Sequence, residues 1–234
     1  MPSSFPGFPK AALTFFRQLK RNNNRDWFNE NKSTYEEQVK APMEQFVEAL
    51  NARLAAFAPH YITEPRKAVY RIYRDTRFSS DKTPYKTHAG ALFRRADLPK
   101  HETASFYVAF SHENVEFAGG VYMPGPKQLR TLRLHLADRH KDLEKMLRSP
   151  KIVKLAGELK GTTLQRPPKG FAADHPAVDW LRGKQWYFYK TLDASLATSP
   201  DLLPTITGAF QAMTPVVEFF NEPFMKNRKQ DGLG

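Results

Sequence analysis

Residues 105–123 read Ser-Phe-Tyr-Val-Ala-Phe-Ser-His-Glu-Asn-Val-Glu-Phe-Ala-Gly-Gly-Val-Tyr-Met. Phe106, Val108 and Phe110 alternate with more polar neighbours, and Val115, Phe117 and Val121 resume an apolar pattern after His112-Glu113-Asn114. Two β-rich runs joined by so short a polar turn predict an antiparallel hairpin, with strands over 105–111 and 115–123. A parallel arrangement would need a crossover of a dozen or more residues at this point. Gly119-Gly120 inside the second run predicts a bulge or a close approach of another backbone.

Working outward, 89–94 and 184–191 are further strand candidates, and 67–74 also alternates with a period of two. Helical spacing surrounds them. Ala12, Phe15, Phe16 and Leu19 fall at i, i+3, i+4 and i+7 after Pro9. Asn24 is placed to cap a short helix through Trp27 and Phe28, and Ser33-x-x-Glu36 has the form of a capping box opening a long helix. The core stripe of that helix is Val39, Met43, Phe46, Val47, Leu50, Leu54 and Phe57, and Pro42 predicts a kink or a new start within it. Further helical patterns cover 126–147, 150–159 and roughly 200–220. Helices before, between and after hairpin-paired strands predict an α+β fold, a central, mostly antiparallel sheet with helices packed on it, as a single domain over 1–234.

The chain carries 36 Lys and Arg against 24 Asp and Glu, a formal charge of +12. The excess is concentrated: ten Lys or Arg and three Asp lie between Arg66 and Lys100, giving seven of those twelve charges. A pI near 9.8 favours polyanionic partners. With no cysteine, disulfides and thiolate metal sites are excluded, which fits a reducing compartment. No run of 18 apolar residues occurs. The expectation is a soluble cytoplasmic protein without a membrane partner.

Within the basic window, Arg71, Arg74, Arg77, Lys82 and Lys86 accompany Tyr85, Asp75 and Asp81. The expected strand ends near Arg74, so 75–87 is a long connection, a length usual in functional loops. Arg supplies a planar fork of donors matched to phosphate or carboxylate, and Lys a compact charge. These residues and Lys169 are the candidate ligand-binding set, with Tyr85 orienting the ligand. His88 and His175 are the candidates for moving a proton, and Asp75 and Asp81 would hold the guanidiniums in place. The same residues are also consistent with a structural network in which each Arg is neutralised by a neighbouring carboxylate, although exposed pairs of that kind contribute only about 0–1 kcal/mol each.

The series Arg71, Arg74, Asp75, Arg77, Phe78, Asp81, Lys82 and Tyr85 resembles the signature of a widespread, mainly bacterial family known as a domain of unknown function. Phe117 to Pro124 and Arg166-Pro167-Pro168-Lys169-Gly170-Phe171 with Asp174-His175-Pro176 are similar to the same family, so the resemblance runs over nearly the whole chain. It implies no activity, cofactor or catalytic residue.

The phosphate-loop, dinucleotide-glycine, zinc-protease and nucleophile-elbow motifs are absent. His135 and His140 are five apart, which breaks the i, i+4 spacing of helical zinc sites, and no metal site is expected. Three functions are consistent with the residues. The first is a site, enzymatic or not, for a phosphate- or carboxylate-bearing small molecule or nucleotide. The second is nucleic-acid binding, with Tyr70, Tyr73, Phe78 or Tyr85 stacking on bases. The third is a protein-interaction module with a basic face.

Overall fold

A computed structural model describes residues 4–98 and 103–230. Lys100, the last cation of the basic window, lies outside the described residues. The hairpin forms as its alternation predicts: β2 (Ser105–Ser111) and β3 (Asn114–Val121) are neighbours in a four-stranded antiparallel sheet. β1 (His88–Arg94) and β4 (Trp186–Asp193) complete it in the order β1-β2-β3-β4. With half the chain helical, the fold class is α+β.

Packing groups the chain into two units. The first comprises Met1–Phe93, Tyr107–Phe117 and Thr191–Thr207. Here α1 (Lys10–Arg21) buries Ala12, Phe15, Phe16 and Leu19, the stripe its spacing marks. Asn24 caps α2 (Arg25–Glu30), its side chain accepting from the Trp27 N–H. The Ser33–Glu36 capping box does not form. Only Asn31 separates α2 from α3 (Lys32–Tyr35), so Ser33 lies inside a helix instead of ahead of one. A π-helical turn over Glu36–Lys40 runs without a break into α4 (Ala41–Leu54), so Pro42 stands just past that turn inside a continuous helical stretch, where the wider π-turn accommodates a residue that cannot donate.

The strand expected over 67–74 is replaced by two different conformations. Pro65–Ala68 makes one helical turn, α5, with proline in its first turn. From Val69 the chain extends alongside β1 but pairs only at isolated bridges, Val69 with Ala91 and Tyr73 with Tyr85. The bridged residues are four apart on one segment and six on the other, and this two-residue excess interrupts the ladder. Pairing resumes beyond it, with the Arg74 N–H donating to Pro84 O at 2.9 Å and the Lys86 N–H to Ile72 O at 2.8 Å. The connection is therefore a hairpin-like excursion over 75–83, shorter than the 75–87 expected.

The second unit comprises Arg94–Phe106, Ala118–Lys190 and Gly208–Gly234. α6 (Pro126–Leu147) bends at Arg139, and α7 (Pro150–Leu155) and α8 (Val178–Leu181) are short. α9 (Leu202–Gln230) carries Pro215 and Pro223 internally. In this unit Phe106 stacks on Phe210, the ring centroids 4.7 Å apart. Gly120 has φ 128°, and a Cβ there would lie 2.4 Å from Trp186 O, so the glycine pair marks a close backbone approach.

Asparagine amides tie backbone together in both units. The side chain of Asn23 donates to Tyr85 O at 2.9 Å and accepts from the Tyr85 N–H at 3.1 Å. Asn51 grips Thr63 in the same two-way manner, and in the second unit the fully buried Asn221 grips Ala104.

Candidate functional site

The first unit holds the basic stretch. Within the 75–83 excursion, local carboxylates engage two of the three arginines. Arg77 straddles Asp75 with Nε and Nη2 donating at 3.0 and 2.7 Å. Arg74 donates from Nη1 to Asp81 and to the Thr83 hydroxyl, and the Thr83 N–H donates to the second Asp81 oxygen at 2.9 Å. The Arg77 donors hold the Asp75 carboxyl down to about 2, and the Thr83 amide with Arg74 does the same for Asp81. Lys82 closes the excursion by donating from Nζ to Thr76 O at 3.0 Å. Arg71 is exposed.

Tyr85 turns inward. Only 3 % exposed, it stacks on Phe28 with centroids 4.1 Å apart, and Asn23 fixes its backbone. That anchor sets the direction of the residues that follow. Half-buried Lys86 donates from Nζ to Arg71 O at 2.9 Å and lies 5.0 Å over the Tyr70 ring. Loss of solvent, with Arg71 nearby, lowers the Lys86 pKa. Burial likewise lowers His88 below 6.5, opposed by Glu116, so the imidazole is neutral near pH 7.

The result is a recess of about 440 Å³. Lys20, Arg74 and Lys86 supply its cations, and Asn23, Thr83, Thr87 and His88 its neutral polar groups. Tyr85 forms part of its wall, and Asp81 is its one carboxylate. Lys20 also pairs with Glu113 at 2.6 Å. Arg74 and Tyr85 further line a recess of about 340 Å³ with Arg25, Asn29 and Tyr73. Of the candidate residues, the fold thus brings together Arg74, Tyr85, Lys86 and His88. Arg71, Arg77 and Lys82 are outside both linings. Lys20, Asn23, Thr83 and Thr87 were not foreseen as site residues. Asn23 stands in a triple-asparagine run that signalled only a helix end.

Lys169 and His175 belong to the second unit. Lys169 lines a recess there with Arg130 and Arg133. His175 is a local cap, its Nδ1 accepting from the Ala177 N–H at 3.0 Å. Among the described residues no group of three or more His, Asp or Glu is arranged to hold a metal ion. None of the described helices is long and apolar enough to cross a membrane.

A family model described as "Conserved hypothetical protein (DUF2461)" matches residues 11–219. The chain belongs to this family. The DUF2461 match covers both units and both constellations singled out in the sequence, and the family description names no activity. No curated protein matches the chain.

Proposed function

We propose that the protein binds a phosphate- or carboxylate-bearing small molecule, or a nucleotide, in the recess lined by Lys20, Arg74 and Lys86. One observation carries this: three cations from separate chain segments converge with Asn23, Thr83 and Thr87 around a recess that contains a single carboxylate. An anion there would meet charged and neutral donors together, the combination that gives short, strong hydrogen bonds. Arg74 is already oriented by Asp81 and Thr83, so its fork needs little reordering. Lys86 keeps donor capacity beyond its bond to Arg71 O. His88, neutral and two residues beyond Lys86, is the group suited to accept or return a proton. Arg71, Arg77 and Lys82 serve as an outer basic rim, with Arg77 and Lys82 also bracing the excursion. The test is thermal stabilisation by phosphate, sulfate and nucleotides of the whole chain carrying Arg130→Gln and Lys169→Gln, which removes two of the cations lining the second unit's recess. A ligand at 100 times its Kd raises stability by about 2.7 kcal/mol, and Lys86→Gln should remove most of that gain. An unchanged gain in Lys86→Gln overturns the assignment.

A specific observation favours nucleic acid as the second reading. Phe78, 95 % exposed, has the Arg77 guanidinium 5.7 Å from its ring centre, and Tyr73 and Tyr70 are exposed nearby in sequence. Exposed rings among cations suit base stacking along a phosphate backbone. Binding of that kind weakens by about 10³ or more between about 50 and 200 mM salt when six or more phosphates are contacted, whereas a pocket holding one phosphate responds far less. Phe78→Ala should weaken single-stranded binding and leave small-anion binding unchanged.

A further inference from the structure

The recess in the second unit is built by one helix face and one stiff turn. Pro126, Arg130, Arg133 and Leu134 recur on α6 at i, i+4, i+7 and i+8, and so share a face. Pro168 to Phe171 forms the turn: the Phe171 N–H donates to Pro168 O at 3.2 Å, and Gly170, with φ 93°, supplies the left-handed conformation such a turn needs at its third position. Lys169 sits at the second. Between them lies a recess of about 570 Å³.

Its chemistry differs from that of the first unit's recess. Arg130, Arg133 and Lys169 line it, and among the described residues no carboxylate does. Arg133 donates from Nη2 to Gly183 O at 2.9 Å, but its Nε is buried and meets no acceptor among the described residues. Nη2 is already bonded to Gly183 O and Nε is buried, so the guanidinium is held in place where it borders the recess and adds its charge to those of Arg130 and Lys169. Burial also pushes the Arg133 pKa down, the opposite of what a partner carboxylate would do. The remaining walls are apolar: Leu134, 56 % exposed, with half-buried Phe171 and two prolines. Three cations together with apolar walls that include an aromatic ring match a ligand with an anionic group and an apolar body.

We propose that this recess is a second anion site, taking a phosphate monoester whose organic body rests on Phe171 and Leu134 while Arg130, Arg133 and Lys169 hold its phosphate. It shares no residue with the recess around Lys86 and stands whether or not that one binds anything.

Calorimetric titration of the full chain with phenyl phosphate and with inorganic phosphate tests this. The Lys86→Gln protein serves as background, so that any binding at the first unit's recess is removed. Tight phenyl phosphate binding should persist there, with inorganic phosphate weaker by about tenfold or more for want of the ring contact. Adding Arg130→Gln and Lys169→Gln should weaken phenyl phosphate by about tenfold or more, since each loses a charge-assisted contact. Both side chains are exposed, so melting should be unchanged. No phenyl phosphate binding in Lys86→Gln, or equal affinity with and without the two further substitutions, overturns this site. Equal affinity for the two ligands overturns the apolar half. If wild type binds and Lys86→Gln alone abolishes it, the first unit's site stands and this one falls.

Discussion

Asn23→Ala removes one of the neutral polar groups of the recess and, through its backbone clamp, should also loosen the whole recess. The amide makes two hydrogen bonds to Tyr85, donating to its carbonyl at 2.9 Å and accepting from its N–H at 3.1 Å. Each such bond contributes about 1 kcal/mol net, and alanine also leaves two partly buried backbone groups without their partner, so the loss is about 2–4 kcal/mol. For a chain of this length each kcal/mol shifts the midpoint by about 2–4 °C, which gives a fall in Tm of about 8 °C. Asn23→Asp separates the two bonds. A carboxylate still accepts from the Tyr85 N–H but opposes the carbonyl, so this variant is destabilised near neutral pH. As pH falls, the protonated acid can donate to that carbonyl, and the gap between Asn23→Asp and wild type should narrow. Amide exchange gives the local readout: the Tyr85 and Lys86 N–H groups should lose protection ahead of those in β2. Because Lys86 follows Tyr85 directly and His88 comes two residues later, anion affinity should drop with the clamp. A Tm change below about 1 °C for Asn23→Ala, or unaltered Tyr85 exchange, refutes the reasoning.

Three further outcomes follow from the same contacts. The carboxyls of Asp75 and Asp81 are held at about 2, below their ordinary 3.8, so the order they give to the excursion is complete above that ordinary value and is lost as pH falls towards 2; carbon-detected NMR titration of both side chains should show these low midpoints, and ordinary ones would refute the pairing. Arg95, 8 % exposed, donates to Asp97 and Glu218, and Arg95→Ala should cost about 3 kcal/mol by leaving Glu218 half-buried without it, measured by urea unfolding. Gly120→Ala should destabilise by more than about 1 kcal/mol, because the residue is at φ 128° and the new methyl would meet Trp186 O at 2.4 Å; an unchanged unfolding midpoint would contradict the close approach.

The hairpin was legible because Phe106, Val108 and Phe110, then Val115 and Phe117, alternate without competition from a helical period, and all five are buried. α1 was legible for the corresponding reason, four apolar residues on one helical stripe. The segment after Pro65 was not. Its period of two is real, but proline favours a first helical turn at 65–68, and the extra residues opposite it prevent a regular ladder. The clamps of Asn23 and Asn221 were invisible because their partners lie far along the chain, 62 residues away for Asn23 and 117 for Asn221. The basic stretch was legible as a cluster but not as a division of labour. Spacing alone does not say that Arg77 will fold onto Asp75, two residues back, while Lys86 is carried to a recess wall by the burial of Tyr85.

The borders of the sheet bear on how copies of this chain meet. An invading strand needs a straight row of open amides and carbonyls. Along β1 that row is overlaid by residues 69–73, paired out of step; flanking β4, Lys160 bridges Tyr187, and Thr163 bridges Gly183 just ahead of the strand. Both overlays are too short and uneven to serve as templates themselves. The open amides and carbonyls of each border strand are thereby partly occupied, at 69–73 beside β1 and at Tyr187 in β4.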